Sequence, residues 1–349
     1  MATPAEMLEG KIINGWQVLE PIRSFAGGTG GNFSSGYVVQ RNGESAFLKA
    51  MDLHSAISRG IEAISDDTTQ FRFERDLLTF CSDRRLSKII RLIEHGEFNA
   101  INPEEALSNF NIVFYMVFEL ADGDIRRELT LNKIDSNLWK LRLLHNVATA
   151  LGQLHGVQVA HQDVKPSNIL AFNSQKTFKL SDLGRSNSKI FNAPTDKYAF
   201  PGDHNYAPPE YHYKYIPPDE NDRRQGSDIY LLGSLISFLF TGLGAFMSTL
   251  QKMENEYRSG VWQGNYKDVL PFLVKAHNEA TLLLKKQLPT QCCEELSTIY
   301  SQLCHPDPSI RGDPRSRSRT GRPIGIERYI SKFDLLEKKM SIFEKARTI

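Results

Sequence analysis

Val159-Ala-His-Gln-Asp-Val-Lys-Pro-Ser-Asn-Ile-Leu170 is followed, after a short turn, by Phe178-Lys-Leu-Ser-Asp-Leu-Gly-Arg185. Asp163 and Asn168 stand five apart, with Lys165 and Pro166 between them. Proline has no N–H and restricts the residue before it, so Pro166 favours a tight loop over a helix. Such a loop can aim a carboxylate, an ammonium and an amide at one point. Asp182 lies fourteen residues past Asn168, before Leu-Gly at the end of a predicted strand. An amide oxygen and a carboxylate suit Mg2+, which takes hard oxygen ligands and usually shares its shell with phosphates. Asp163 can accept the proton of an attacking hydroxyl, and Lys165 can neutralise charge on a moving phosphoryl group. No G-x-S-x-G hydrolase pattern competes with this set.

Upstream, Trp16–Ile22 and Tyr37–Arg41 read as strands separated by Gly27, Gly28, Gly30, Gly31 and Gly36. Asn42-Gly43 signals a hairpin, because a type I′ turn needs positive φ at both central positions. Glu44–Ala50 is the next strand and carries Lys49. A glycine loop between two strands excludes the dinucleotide-binding and Walker turns, which need a helix after the loop. It suits a lid over phosphates, where side chains would block close backbone approach. Helical spacing over Thr69–Phe80 includes Glu74, and Ile89–Gly96 and Ile112–Leu120 read as strands around a polar loop, Phe98–Asn111. From about Asp124 the pattern turns helical, with Leu138–His155 the clearest case. Ile229–Phe240 is apolar but far below the length of a membrane span, and reads as a buried helix.

The chain has 349 residues, 40% hydrophobic and 24% charged, with net charge +1. That is ample for a core and argues against disorder. It also gives no global basic field for nucleic acid. Cys81, Cys292, Cys293 and Cys304 form no C-x-x-C pair, and the N-terminus lacks an apolar signal region. A reducing cytoplasm is the expectation.

In order, the glycine loop, Ala46-Phe-Leu-Lys49, Glu74, His161-Gln-Asp163…Asn168, Asp182-Leu-Gly184, Pro208-Pro-Glu210, Ser227-Asp-Ile-Tyr-Leu-Leu-Gly233 and Asp307-Pro…Arg311 resemble the eukaryotic-type protein kinase family. The resemblance spans about residues 16–312. It implies an α+β, bilobal fold, with a small antiparallel-sheet lobe holding one main helix and a larger, mainly helical lobe. The lobes would be residues 1–121 and 122–312, with 313–349 a basic linker and an amphipathic helix on the larger lobe. It implies ATP and Mg2+ (or Mn2+) as cofactors and protein substrates as partners, with neither nucleic acid nor membrane. By this likeness Lys49 holds the α/β-phosphates and pairs with Glu74, Asp163 is the base, and Lys165 steadies the transferred group. Asn168 and Asp182 ligate the metal. Gly31 and Gly36 flank the lid tip, with Phe33 near it. Val38 and Leu170 sandwich the base, Phe118 is its gatekeeper, and the backbone of Glu119 and Ala121 meets its edge. Glu210 pairs with Arg311, and Asp228 holds the catalytic loop. Lys165, two residues after Asp163, points to Ser/Thr acceptors.

The chain departs from the pattern in several places. Gln162 replaces an arginine that commonly receives an activation-segment phosphate, so activity without loop phosphorylation is expected. Leu183 replaces a phenylalanine and is expected to stack near Leu78 and Leu92. Phe47 replaces a small alanine, which either narrows the adenine pocket or marks a shifted register. Asp203 replaces a threonine and either pairs with Lys165 or lies in the substrate-side loop. Insertions are expected at 52–68 and 211–226, with Lys214–Arg224 a solvated loop, and the basic run 311–322 a solvated linker. Two other functions compete with a Ser/Thr protein kinase: a nucleotide-binding pseudokinase scaffold and a small-molecule phosphotransferase. The Pro-Pro-Glu segment with Arg311 speaks against the latter, and the retained Lys49, Glu74, Asp163, Asn168 and Asp182 speak against the former.

Overall fold

A computed structural model describes residues 3–22, 34–51, 53–100, 111–130, 136–321 and 323–348. Its N-terminal part runs β1 (Ile12–Ile13), β2 (Trp16–Pro21), β3 (Ser34–Arg41), β4 (Glu44–Met51), α1 (His54–Arg59), α2 (Ile61–Asp83), β5 (Leu92–Asn99) and β6 (Ile112–Glu119). The six strands form one antiparallel sheet in the order β1-β2-β3-β4-β6-β5. Asn42 and Gly43 turn β3 into β4 with φ of 52° and 82°, as the hairpin signal requires. Alternation along the strands splits the sheet into two faces. Tyr37, Val39, Ala46, Leu48, Tyr115 and Val117 join Trp16 and Val18 in an outer core. Phe47, Met116 and Phe118 belong instead to the core that continues into α2 and the C-terminal part.

That part runs β7 (Gly123–Asp124), α3 (Ile125–Thr130), α4 (Asn137–Gly156), β8 (Val159–Ala160), β9 (Ile169–Phe172), β10 (Thr177–Leu180), β11 (Asn187–Ser188), α5 (Pro209–His212), α6 (Glu220–Arg223) and α7 (Gln225–Thr241). It continues with α8 (Ala245–Leu250), α9 (Tyr266–Gln287), α10 (Cys293–Leu303), α11 (Pro314–Arg317) and α12 (Ile326–Thr348). An antiparallel-sheet N-terminal region and a helical C-terminal region make the bilobal α+β architecture that the resemblance implies. Helix α7 contains the predicted buried helix and is buried on nearly every side, so it is the axis of the larger core. It stops at Gly242, whose φ of 77° is the left-handed conformation glycine adopts freely. Helix α12 lies on α4, where Glu337 meets Arg142 Nε and His145 Nδ1, each at 2.9 Å. Among the described residues no helix is long and apolar enough to cross a membrane.

Three expectations need correction. The helix expected over Thr69–Phe80 starts eight residues earlier, at Ile61, and α1 and the first turns of α2 occupy the segment 52–68. Lys214–Arg224 is not simply solvated: it forms α6 and buries Asp222 and Arg224. The basic run after Arg311 is not a free linker either. It forms α11, and Arg317 pairs with Asp222 in a buried contact and donates to Pro308 and Ser309 carbonyls. The last two segments alone look like exposed charge, and their burial becomes tolerable only when charges 95 positions apart meet.

Glu210 and Arg311 form a fork-to-fork pair, Nη1–Oε1 and Nη2–Oε2 both 2.8 Å, with both side chains 0% exposed. Burial by itself disfavours the Arg311 charge, but Glu210 outweighs it and raises the guanidinium pKa further. Nε also donates to the His305 carbonyl at 3.0 Å. Arg311→Ala should cost about 3–5 kcal/mol, because it strands a buried carboxylate, while a paired Glu210→Leu/Arg311→Met change should recover most of that. Urea denaturation of the three proteins reads this directly, and equal midpoints for Arg311→Ala and the parent would refute it.

Burial lowers His277 and His212 to about 4. The ordinary value in an unfolded chain is about 6.5, so the unfolded state takes up more protons below that pH. Stability contributed by their neutral forms is therefore complete above about pH 6.5 and lost as pH falls toward 4. Replacing His277 by Gln should shrink the stability difference between pH 7 and pH 4.5 by on the order of 2 kcal/mol. An undiminished difference would show that His277 is not neutral in the fold.

Candidate active site

Lys49 lies in β4 opposite Gly36 of β3 and Met116 of β6. Its Nζ reaches Glu74 of α2 at 2.8 Å (Oε2) and 3.1 Å (Oε1). Burial opposes the ammonium charge, but Glu74 and then Asp182 outweigh it and hold the Lys49 pKa above the ordinary lysine value. Gln70, one turn before Glu74, donates to the Gly184 carbonyl, so α2 is tied to the turn that carries Asp182.

The loop between β8 and β9 folds around Asp163. Pro166 opens a single 3-10 turn, Pro166–Asn168, and Asn168 Nδ2 donates to the Asp163 carbonyl and to Oδ2, both at 2.9 Å. Lys165 Nζ is 2.9 Å from the same Oδ2. The other oxygen, Oδ1, accepts the Asp203 N–H at 2.9 Å. Asp203 Oδ2 lies 3.6 Å from Lys165 Nζ, so Asp203 does pair with that lysine, and Lys165 bridges two carboxylates.

Helix α7 anchors this loop. Asp228 is 0% exposed and accepts the N–H of His161 (2.8 Å) and of Gln162 (2.7 Å), and contacts His155 Nε2 at 2.9 Å. His161 is fully buried and faces the Ser181 carbonyl at 3.0 Å, a structural position rather than a reactive one. Gln162 (φ 67°) and Asp182 (φ 60°) both adopt the left-handed conformation. That costs a non-glycine residue on the order of 1–3 kcal/mol and persists where surrounding contacts over-determine it. Gly202 lies so close to the Gln162 carbonyl that a Cβ there would collide with it, so the segment before α5 seats directly on the loop between β8 and β9.

Asp182 is exposed, next to Lys49, and Asn168 commits its amide nitrogen to Asp163, which leaves Oδ1 as its acceptor. Among the described residues there is no cluster of three or more His, Cys, Asp or Glu side chains able to hold a metal. A carboxylate and an amide oxygen fit a hard cation that completes its shell with phosphate and water, and do not fit an all-protein cage.

Above the cleft, Val38 stands opposite Phe47, and Phe47 opposite Phe118, in unbroken register. The Phe47 substitution is therefore not a register shift. Its ring is 6.2 Å from that of Phe118. Leu170 of β9 lies below, half-buried, and Ala121 lies between β6 and β7. The Glu119 carboxylate bonds Lys179 Nζ of β10 at 2.6 Å and the Arg91 N–H at 2.8 Å, which ties the strand region to the helical region behind the cleft. Leu183 is fully buried in one core with Leu78 and Leu92. Gly31 and Phe33 fall outside the described residues; Gly36 is within β3.

The structure thus brings Lys49, Glu74, Asp163, Lys165, Asn168 and Asp182 around one cleft. It adds residues that sequence reading passed over. Ile22 donates its N–H to the Gly36 carbonyl at 2.8 Å and remains 42% exposed at the cleft roof. Gln70 lies four before Glu74, a helical spacing that could have marked it. His155 carried no local signal.

A family model described as protein kinase domain matches residues 30–315. Mitogen-activated protein kinase 13 of Oryza sativa subsp. indica is 25% identical over 278 residues, 71% of this chain and 52% of that protein. The chain thus spans about half the length of that relative. Mitogen-activated protein kinase 14 of Xenopus laevis is 22% identical over 301 residues, covering 74% and 79%. Extracellular signal-regulated kinase 7 of Drosophila melanogaster is 28% identical over 154 residues, covering 42% and 16%.

Asp228→Ala removes the acceptor of two buried N–H groups and should destabilise the protein by about 2–6 kcal/mol, at 1–3 kcal/mol for each stranded donor. Asp228→Asn, which keeps one acceptor oxygen, should lie between the two. Thermal unfolding of all three proteins tests the order, and an Asn variant as damaged as Ala would contradict it.

Proposed function

The chain belongs to the protein kinase family, and we propose that it transfers the γ-phosphate of ATP to serine and threonine hydroxyls of protein substrates. The observation that carries this reading is the pairing of Lys49 with Glu74 at 2.8 Å beside an assembled Asp163–Lys165–Asn168 loop. Phosphoryl transfer passes through a loose transition state and depends on positioning and charge neutralisation more than on covalent help. In this reading Lys49, held by Glu74, orients the α/β-phosphates. Asp163 accepts the hydroxyl proton as the acceptor oxygen attacks, and Lys165 stabilises negative charge on the group in transit. Asn168 and Asp182 are the residues that would hold Mg2+ or Mn2+, which supplies charge neutralisation at phosphate oxygens. Glu119 and Ala121 meet the base edge, Val38 and Leu170 its faces, and Gly31 and Gly36 bound the lid. Residues 1–121 act as the smaller lobe, 122–312 as the larger, and 313–349 as a C-terminal extension of it.

We further read the enzyme as active without phosphorylation of its activation segment. Gln162, in place of an arginine, spends its side chain on the Arg224 carbonyl and on Asp228. The segment is held by contacts that need no phosphate. Asp203 bonds Asp163, Asp196 accepts from Asn187, and the buried Arg224 faces Asp196 with Nη2 3.4 Å from its carbonyl and 3.9 Å from its carboxylate.

Incubation with γ-labelled ATP and Mg2+, with and without a generic protein substrate, tests both readings. Label on Ser/Thr should appear in phosphatase-treated enzyme and fall at least about a hundredfold in Asp163→Ala, the range general-base loss commonly spans. ATP binding without label would mean a scaffold. Label on small molecules alone would mean a different phosphotransferase. Activity that requires prior phosphorylation of Ser186, Ser188 or Thr195 would overturn the second reading only.

A further inference from the structure

We propose that the groove between α10 and α12 is the contact surface of a homodimer, in which a second copy of this chain lays its own α12 alongside the first, parallel and in register. The proposal goes beyond the reading of the cleft and does not depend on it.

Helix α12 has two apolar sides. One, with Tyr329, Phe333, Leu336 and Met340, is buried in the larger core. The other carries Leu335 and Ile342, which are 66% and 70% exposed. These two stand one heptad apart, about two helical turns, so they share one stripe. Beside the stripe, the buried Ile299 of α10 and Leu336 line the floor of a groove of about 620 Å3. All of α12 lies outside the matched kinase domain, so this surface belongs to the chain's own extension. Exposed apolar residues scattered singly need no explanation, but two in register beside an apolar groove form the kind of patch that a partner covers.

The charges around the stripe select the partner. Lys339 crosses the groove to Glu295 of α10, 2.9 Å away, and so marks the α10 side. Lys338 lies about 100° away around the helix, on the far side, where it pairs with Asp334 at 2.7 Å. Lys345, one heptad further along, continues that edge. Across the groove the α10 edge presents Glu294, 2.7 Å from Lys285. The side chains of Lys338 and Glu294 are 68% and 72% exposed, and pairs that exposed hold their present partners weakly. The patch therefore runs from a basic edge, through an apolar stripe, to an acidic edge.

Such a patch is complementary to itself under one particular two-fold. An axis along α12 sets Leu335 and Ile342 on their equivalents in the other copy and exchanges the edges, so that Lys338 of each copy faces Glu294 of the other. Antiparallel packing instead brings Lys338 onto Lys338, because that residue lies midway between the two apolar positions, and like charges there repel.

Sedimentation of the full chain from about 1 μM to about 500 μM tests this, since a two-turn stripe makes a small interface of transient strength. The parent should pass from monomer to dimer across that range. Leu335→Gln combined with Ile342→Gln should weaken association at least about tenfold. Lys338→Glu and Glu294→Lys should each abolish dimerisation alone, because each sets like charges together twice. An equimolar mixture of those two proteins should form a heterodimer about as tight as the parent dimer, because both contacts are again of opposite sign. Melting temperatures at monomeric concentrations check that each variant folds. A parent that stays monomeric throughout overturns the proposal. So does a dimer that the variants leave intact, which would lie on another face, and so does a mixture of folded charge variants that stays monomeric.

Discussion

A single carboxylate in the first turn of α7 sets the geometry that matters. Asp228 has no access to water and spends its charge on two consecutive backbone N–H groups of the catalytic loop and on His155. A buried carboxylate is tolerable only when its lone pairs are filled, so the helix and the loop constrain each other. The strained backbone of Gln162 follows from that clamp, because both its N–H and its amide side chain are drawn to the start of α7. Asp163 inherits its position one residue later. Its two oxygens are then shared among Asn168, Lys165 and the Asp203 N–H, so the putting-together of the cleft propagates outward from the buried axis.

Charge is organised the same way. The chain as a whole is nearly neutral at +1, so attraction for a polyanion has to be local. In the proposed reading Lys49 and Lys165 supply it, each held in place by carboxylates, and Glu74 and Asp182 keep Lys49 charged. Asp203 strengthens this pattern, since a carboxylate in place of a hydroxyl gives Lys165 a second counter-charge. In the proposed reading, an acceptor approaching Asp163 would meet a site in which negative and positive groups alternate, with the repulsion between that carboxylate and phosphate partly screened.

Much of this was legible in the sequence because the signals were local or rigidly spaced. Asn42-Gly43 announced its turn, Pro166 its loop, and the alternation around Lys49 its strand. The segments 214–224 and 311–322 were misread because what orders them is distant. Charge-rich stretches are read as solvated by default, and neither Asp222 nor Arg317 announces a partner 95 positions away. The register at Phe47 was open for the same reason: it depends on pairing with β3 and β6, the latter about seventy positions away. Asp203 could be placed only once the return path of the activation segment was known.

The Asp222–Arg317 pair also bears on where this domain stops. The family match closes at residue 315, yet Arg317 lies beyond it, as do Arg328, 3.2 Å from Asp313, and Glu337, which grips α4. A chain cut at the family boundary would leave Asp222 buried without its cation and uncover the apolar side of α4. The cooperative unit of folding is thus larger than the unit of homology, and the tail after residue 315 is part of what melts when the domain melts.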